Sequence, residues 1–228
     1  MAGRRKLDIL YEDDCIIVAD KPSGLLTMST GKEGEITAYS ILTDYVRSAR
    51  GGRNTRDKGR IFIVHRLDRD TSGVIVFAKD EQTKHALQDD WNETILERKY
   101  IAAVEGTLEY DEGTVASYLK DNPKSMKVSS SWTDNGGKYS VTHFKVLRSS
   151  GQYSLVEFEL ETGRKNQIRV HASVIGNPVA GDRKYGSASN PLHRLCLHAS
   201  TLVFHHPRTG QLLRFDTGIP KDFMRLCR

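Results

Sequence analysis

Cysteine is scarce in this 228-residue chain: Cys15, Cys196 and Cys227 are widely spaced and form no C-x-x-C pair. That argues against a disulfide framework or a zinc site and for reduced, structural thiols. Long apolar runs are missing as well, none approaching the ~20 residues that a bilayer span requires. The basic start Met1-Ala2-Gly3-Arg4-Arg5-Lys6 is followed by no apolar signal core, so the expected location is the cytoplasm. The chain has no internal repeat, no glycine-rich nucleotide loop and no proline/serine-rich linker. His171, His193, His198 and the pair His205-His206 form no H-E-x-x-H or Cys/His ligand set. Neither a metal nor a cofactor is therefore expected.

Hydrophobic residues at 38% and charged residues at 28% place the chain among ordinary globular proteins rather than disordered ones. Its length suits one domain, residues 1–228, or two packed halves. The net charge of +5 suits a partner rich in phosphate, because a positive face binds a polyanion and releases its counterions. Between Arg47 and Arg60 lie five arginines and one lysine against the single acid Asp57, interleaved with Gly51, Gly52, Asn54 and Gly59. Such a segment cannot build a core. It predicts a flexible basic loop over about 47–60, either simply solvated or a phosphate-contacting arm.

Strand signals outnumber helix signals. Ile9–Tyr11 and Cys15–Ala19 flank the acidic turn Glu12-Asp13-Asp14 and read as a hairpin, which Lys21-Pro22-Ser23-Gly24 then breaks. Apolar residues at Ala38, Ile41, Leu42, Tyr45 and Val46 predict a helix over Thr37–Ala49. Strands are expected at Ile61–Val64, Val74–Ala78, Lys99–Val104, Tyr139–Leu147, Tyr153–Leu160, Leu195–Phe204 and Leu212–Phe215. Asp80 reads as the N-cap of a helix through Ala86, Leu87 and Trp91, and a further helix is expected over Gln167–Ile175, stopped by Gly176 and Pro178. No regular β-α-β alternation appears, so the fold class is α+β with a largely antiparallel sheet.

The segment Val64-His65-Arg66-Leu67-Asp68-Arg69-Asp70-Thr71-Ser72-Gly73-Val74 holds a cluster of charge between two hydrophobic strands. In an extended chain Arg66 and Asp68 project to one side and Leu67 to the other. A carboxylate beside a guanidinium is favoured in its charged form, as a nucleophile requires; an ordinary surface ion-pair loop has the same composition. Asp68 and Asp70 could also imitate the acid/base pair of a glycosidase, although the surrounding arginines argue against that.

His65-Arg66-Leu67-Asp68 followed by Thr71-Ser72-Gly73 closely resembles the catalytic motif of the RluA-like RNA pseudouridine synthases. Further segments resemble that family in its order. They are Lys21-Pro22-Ser23-Gly24, Glu97–Gly106 with Tyr100, Thr162–His171, Asp182-Arg183-Lys184-Tyr185-Gly186 and Leu197-His198-Ala199. The resemblance runs from about Ile9 to the C-terminus. It implies a pseudouridine synthase fold, a largely antiparallel mixed sheet flanked by helices around an RNA-binding cleft. The implied activity is isomerisation of a uridine in tRNA or rRNA without a cofactor. A monomer is expected, because flipping one base out of a structured RNA needs only one cleft.

The same resemblance implies the roles of the site residues. Asp68 is the nucleophile, Tyr100 stacks on the flipped-out base and helps to remove a proton, and Arg169 pairs with Asp68. Ile168 is expected against the base, or in the core on the same helix face. Arg66, Arg69, His65, Arg164 and Lys165 are expected to contact RNA, with Arg66 also bracing the loop and Arg69 helping to displace the uridine. Lys165-Asn166 stands where many members have threonine-histidine, a departure expected to touch RNA contact rather than the reaction. Many relatives carry a small RNA-binding domain ahead of the first strand, where this sequence has about eight residues. Recognition is therefore expected to rest on the catalytic domain and on the basic loop. Neutralising the charges of that loop should weaken RNA binding and lower the slope of log K against log salt by ~0.9 per lost duplex phosphate contact, while turnover at saturating RNA persists. An unchanged slope in a salt titration would remove the loop from the binding surface.

Overall fold

A computed structural model describes residues 7–49, 59–89 and 91–228. Residues 50–58, the greater part of the basic loop, lie outside them. The chain divides into two compact units, one of residues up to Leu96 together with Leu202–Thr217, the other of Glu97–Thr201 together with Gly218–Arg228. Among the described residues no helix is long and apolar enough to cross a membrane.

In the first unit, β1 (Asp8–Glu12) and β2 (Ile16–Lys21) form the expected antiparallel hairpin. Strand β2 pairs antiparallel with β4 (Ser72–Ala78), and so does the short β3 (Phe62–Ile63). Neighbours are hydrogen-bonded in the order β1-β2-β4-β10, where β10 is Leu197–His205, and β11 (Leu212–Asp216) joins β10. Every residue of β4 is buried, which explains its unbroken apolar run. Ile16, Val18, Val74, Val76, Ile95, Leu202 and Phe204 build the core.

Helix α1 (Ala38–Ala49) falls where its periodicity put it. Thr37 Oγ1 accepts the Ser40 N–H and Ser40 Oγ accepts the Thr37 N–H, a reciprocal cap, and Arg47 places a cation in the last turn. Asp80 caps α2 (Glu81–Gln88) by accepting the Thr83 N–H at 2.7 Å. This helix stops before Trp91, however, which starts a separate short turn, α3 (Trp91–Thr94). The Trp91 ring stacks on His65 at 4.6 Å instead of continuing the helical stripe.

The second unit orders its strands β10-β5-β9-β8-β6-β7, with β5 at Ile95–Glu105, β6 at Glu112–Asn122, β7 at Lys127–Ser131, β8 at Lys138–Ser149 and β9 at Tyr153–Leu160. The β5–β9, β9–β8, β8–β6 and β6–β7 pairs are antiparallel. Helix α4 (Gln167–Val174) buries Ile168 and Ala172 in the main core, whereas Val170 joins Leu119, Val128 and Tyr185 in a smaller cluster. Helix α5 (Lys221–Leu226) adds Phe223 and Leu226 to the main core. A 3-10 turn, Arg183–Tyr185, follows Asp182.

The half-buried Asp13 and the buried His171 give separate acid-stability windows. Burial alone would raise the Asp13 carboxyl, but the Ile16 and Cys15 N–H groups, with Tyr11 and His206, outweigh it and hold it at about 2. Its contribution is thus complete above the unfolded value of about 3.9 and is lost as pH falls toward 2. Burial lowers His171 to about 4, so between about 6.5 and 4 only the unfolded chain takes up that proton and stability falls as pH falls. Urea midpoints measured against pH should lose the upper slope in His171→Gln and the lower one in Asp13→Asn.

Candidate active site

The loop carrying Asp68 is held by its main chain. Each carbonyl from residue 67 to residue 70 accepts a donor. Leu67 O takes Thr27 Oγ1–H at 2.8 Å and Asp68 O takes the Thr71 N–H at 3.2 Å. Arg69 O takes the Gly24 N–H at 2.9 Å and Lys21 Nζ at 3.1 Å, and Asp70 O takes Ser23 Oγ–H at 2.7 Å. The Lys21-Pro22-Ser23-Gly24 segment, read from sequence as a strand breaker and a family-like motif, is therefore the clamp on the Asp68 loop. Gly24 reaches its carbonyl with φ at 82°, a conformation that a side chain disfavours although space for one exists. Lys21 is fully buried, and its ammonium also donates to Pro22 O at 3.0 Å and Leu25 O at 2.7 Å.

Leu67 points into the protein while Arg66 is exposed and Asp68 half-buried, the alternation expected of an extended segment; Arg69, at the turn, is exposed as well. The turn itself lies at Arg69-Asp70, because Ser72 and Gly73 already belong to β4. Arg66, Leu67 and Arg69 line a pocket of about 140 Å³ with Leu26–Thr30. His65 Nε2 accepts the Val76 N–H at 3.1 Å while its ring stacks on Trp91, so this histidine braces the loop.

In the second unit, Tyr100 is a half-buried residue of β5 that packs against the main core. Arg169 lies in the first turn of α4, whose start is fixed by Gln167. The Gln167 amide donates to Val141 O and Thr142 Oγ1, both at 2.9 Å, and its oxygen accepts from Thr162 Oγ1 and the Arg164 N–H. Arg169 Nε and Nη2 donate to the two oxygens of Asp182 at 2.6 and 2.8 Å, Nη1 donates to Asn166 Oδ1 at 3.1 Å, and the guanidinium sits 5.0 Å from the Tyr185 ring centre. Sequence reasoning named Asp182 and Asn166 but gave them no part here. Ile168 is a core residue, the Arg164 side chain is exposed, and Lys165 donates to Asp121 at 2.7 and 2.9 Å. His171 is a satisfied core histidine between Ser117 Oγ at 3.0 Å and Thr142 Oγ1 at 2.8 Å.

Asp13, Cys15 and His206 bring three ligand-type atoms within 4.8 Å of one another. Their chemistry fits a hydrogen-bonded clasp better than a metal site. His206 Nδ1 accepts the Arg208 and Thr209 N–H groups, which puts the ring proton on Nε2, 2.8 Å from Asp13 Oδ2. Metal binding at Nε2 would move that proton to Nδ1, against two N–H donors. The Cys15 thiol is pushed up to about 11, by burial first and then by Asp13, so it is a poor thiolate source.

The family pattern described as RNA pseudouridylate synthase matches residues 15–174. "Uncharacterized RNA pseudouridine synthase YhcT" of Bacillus subtilis (strain 168) is 38% identical over 98% of this chain and 72% of its own length. "Ribosomal large subunit pseudouridine synthase D" of Neisseria meningitidis (serogroup A) is 34% identical over 96% of this chain and 60% of its own. The solved structure "Human RNA Pseudouridylate Synthase Domain Containing 4" shares the fold, with a TM-score of 0.75 at 23% identity over 95% of this chain and 90% of that one. The fold class is thus that of the pseudouridine synthases. The chain belongs to the RluA-like family of RNA pseudouridine synthases, isomerases that act on RNA.

If the clamp fixes the Asp68 loop, Lys21→Met should strip the carbonyls of Pro22, Leu25 and Arg69 of a donor. Leaving the buried Leu25 carbonyl without this donor costs about 1–3 kcal/mol, to be read from denaturant midpoints, and amide exchange should quicken at Gly24 and Thr71.

Proposed function

We propose that the protein converts a specific uridine of structured RNA to pseudouridine with Asp68 as nucleophile. The observation that carries this reading is the Asp68 loop, an exposed charge cluster whose four successive carbonyls are each held, as a preorganised attacking group requires. The target base leaves its helix to reach the carboxylate. Asp68 attacks C1′ of the ribose or C6 of the ring, and the N1–C1′ bond breaks. The base turns while held, C5 bonds to C1′, and the C5 proton departs, so atoms are rearranged and neither metal nor cofactor is required. Tyr100 offers a stacking face and a hydroxyl for that proton, and Arg169 holds charge for the reaction. Arg66, Arg69, Arg164 and Lys165 serve the RNA backbone, and Ile168 serves from within the core. Residues 1–228 act as one catalytic domain, a monomer in the cytoplasm. The names of the ribosomal large subunit relatives put rRNA ahead of tRNA as the substrate to offer first.

The test is tritium release from rRNA and tRNA transcripts labelled at uridine C5. The intact protein should release tritium from one of them without freeing uracil, and Asp68→Asn should bind that RNA and release none. Free uracil would point to a hydrolase instead. Tight binding of both RNAs without release would leave a binding protein.

A further inference from the structure

Arg169 is surrounded by groups that the reaction does not use directly. A guanidinium has five N–H donors. Three of Arg169's are committed inside its own unit, two to Asp182 as a fork and one to Asn166 Oδ1. The Asp182 side chain is 2% exposed and that of Arg169 13%. The remaining holders are fixed in turn. Asn166 Nδ2 donates to the Tyr185 hydroxyl at 2.7 Å, the same hydroxyl accepts the Val128 N–H of β7 at 3.1 Å, and the Tyr185 ring lies against the guanidinium. Asn166 takes a left-handed φ of 55° and makes no side-chain cap bond to α4, so its amide is diverted from the usual capping task to Arg169 and Tyr185. Residue 181 is constrained for the same end: at Gly181, with φ at 83°, a Cβ would come within 2.1 Å of Arg194 O, so only glycine delivers Asp182 here.

A buried ion pair of this kind is a weak source of net stability, since the cost of drying both charges offsets their attraction. What a bidentate fork does supply is geometry, because it fixes the plane and the rotation of the guanidinium. We propose that Asp182 is a positioning residue for Arg169. Together with Asn166 and Tyr185 it holds the guanidinium in one orientation, so that its charge is aimed for the reaction without a search. The proposal rests on the reading of Arg169 as catalytic and adds three residues that never need touch the RNA.

The experiment is a cycle of Asp182→Asn, Arg169→Lys and the double variant, assayed on the RNA that the intact protein modifies, with Tyr185→Phe as a milder companion. Asp182→Asn keeps the shape and breaks the fork. It should lower kcat by about 10²-fold, the scale of a ~1 Å misplacement, and leave KM for RNA within about twofold. In the Arg169→Lys background the same change should have almost no further effect on kcat, because its target is gone. Tyr185→Phe should lower kcat by less, again at constant KM, and it decides the matter if Asp182→Asn does not fold. Multiplying effects of Asp182→Asn and Arg169→Lys, or wild-type kcat in Asp182→Asn or in Tyr185→Phe, would overturn the proposal. A wild-type kcat in Arg169→Lys would instead overturn the catalytic reading of that arginine.

Discussion

The geometry of the Asp68 loop depends on one buried ammonium group. Removing a lysine charge from water costs several kcal/mol unless polar groups replace its hydration shell. Around Lys21 Nζ that shell includes the carbonyls of Pro22, Leu25 and Arg69, two from the turn that follows β2 and one from the loop that precedes β4. The charge can be buried only when both segments are in place. Lys21 also ends β2 opposite Gly73 of β4, so the register of the central strands sets where the ammonium lies. A sheet pairing thereby becomes a fixed backbone beneath a proposed nucleophile.

The second unit solves an analogous problem with neutral groups. The chain from Thr162 to Gln167 has no regular structure until α4 begins, yet Arg169 must leave that helix in a defined direction. The Gln167 amide takes both roles, accepting from Thr162 and Arg164 on its own loop and donating to Val141 and Thr142 of β8. Arg98, buried beneath that loop, donates to Glu161 O at 2.7 Å. In both units, side chain-to-backbone bonds stiffen segments that helices and sheets leave loose, which is where catalytic groups are commonly placed.

What the sequence disclosed follows from which signals are local. The β1–β2 hairpin, α1, the Asp80 cap and α4 are written in periodicity and capping residues, and they appear within a residue or two. Strands β6 and β7 were missed because their buried positions are not uniformly apolar. In β6 the inward face reads Val115, Ser117, Leu119, and Ser117 is tolerated there only because it meets Ser130 and His171. The small polar run Thr71-Ser72-Gly73 has the composition of a turn, but the reversal is closed one step earlier by the Thr71 N–H to Asp68 O bond, and Ser72 already belongs to β4. Leu67 inward with Arg66 outward was readable from alternation alone. The tasks of Lys21, Asp182 and Asn166 were not, for each has a partner 13 to 48 residues away: Arg69 for Lys21, Arg169 for Asp182 and Tyr185 for Asn166.

Asn166 shows how the structure can reverse the meaning of a substitution. In the motif, asparagine in place of histidine looked like a change of RNA contact. The residue is 8% exposed, with its amide oxygen accepting from Arg169 and its amide nitrogen donating to Tyr185. A neutral imidazole also offers one acceptor and one donor, so the exchange can preserve that pattern of bonds. It does remove a titratable group. A histidine that accepted from a guanidinium would lose this lone pair on protonation and set a second cation beside Arg169 within the physiological pH range. An asparagine carries no such switch, so its hold on Arg169 is insensitive to pH where a histidine's would not be.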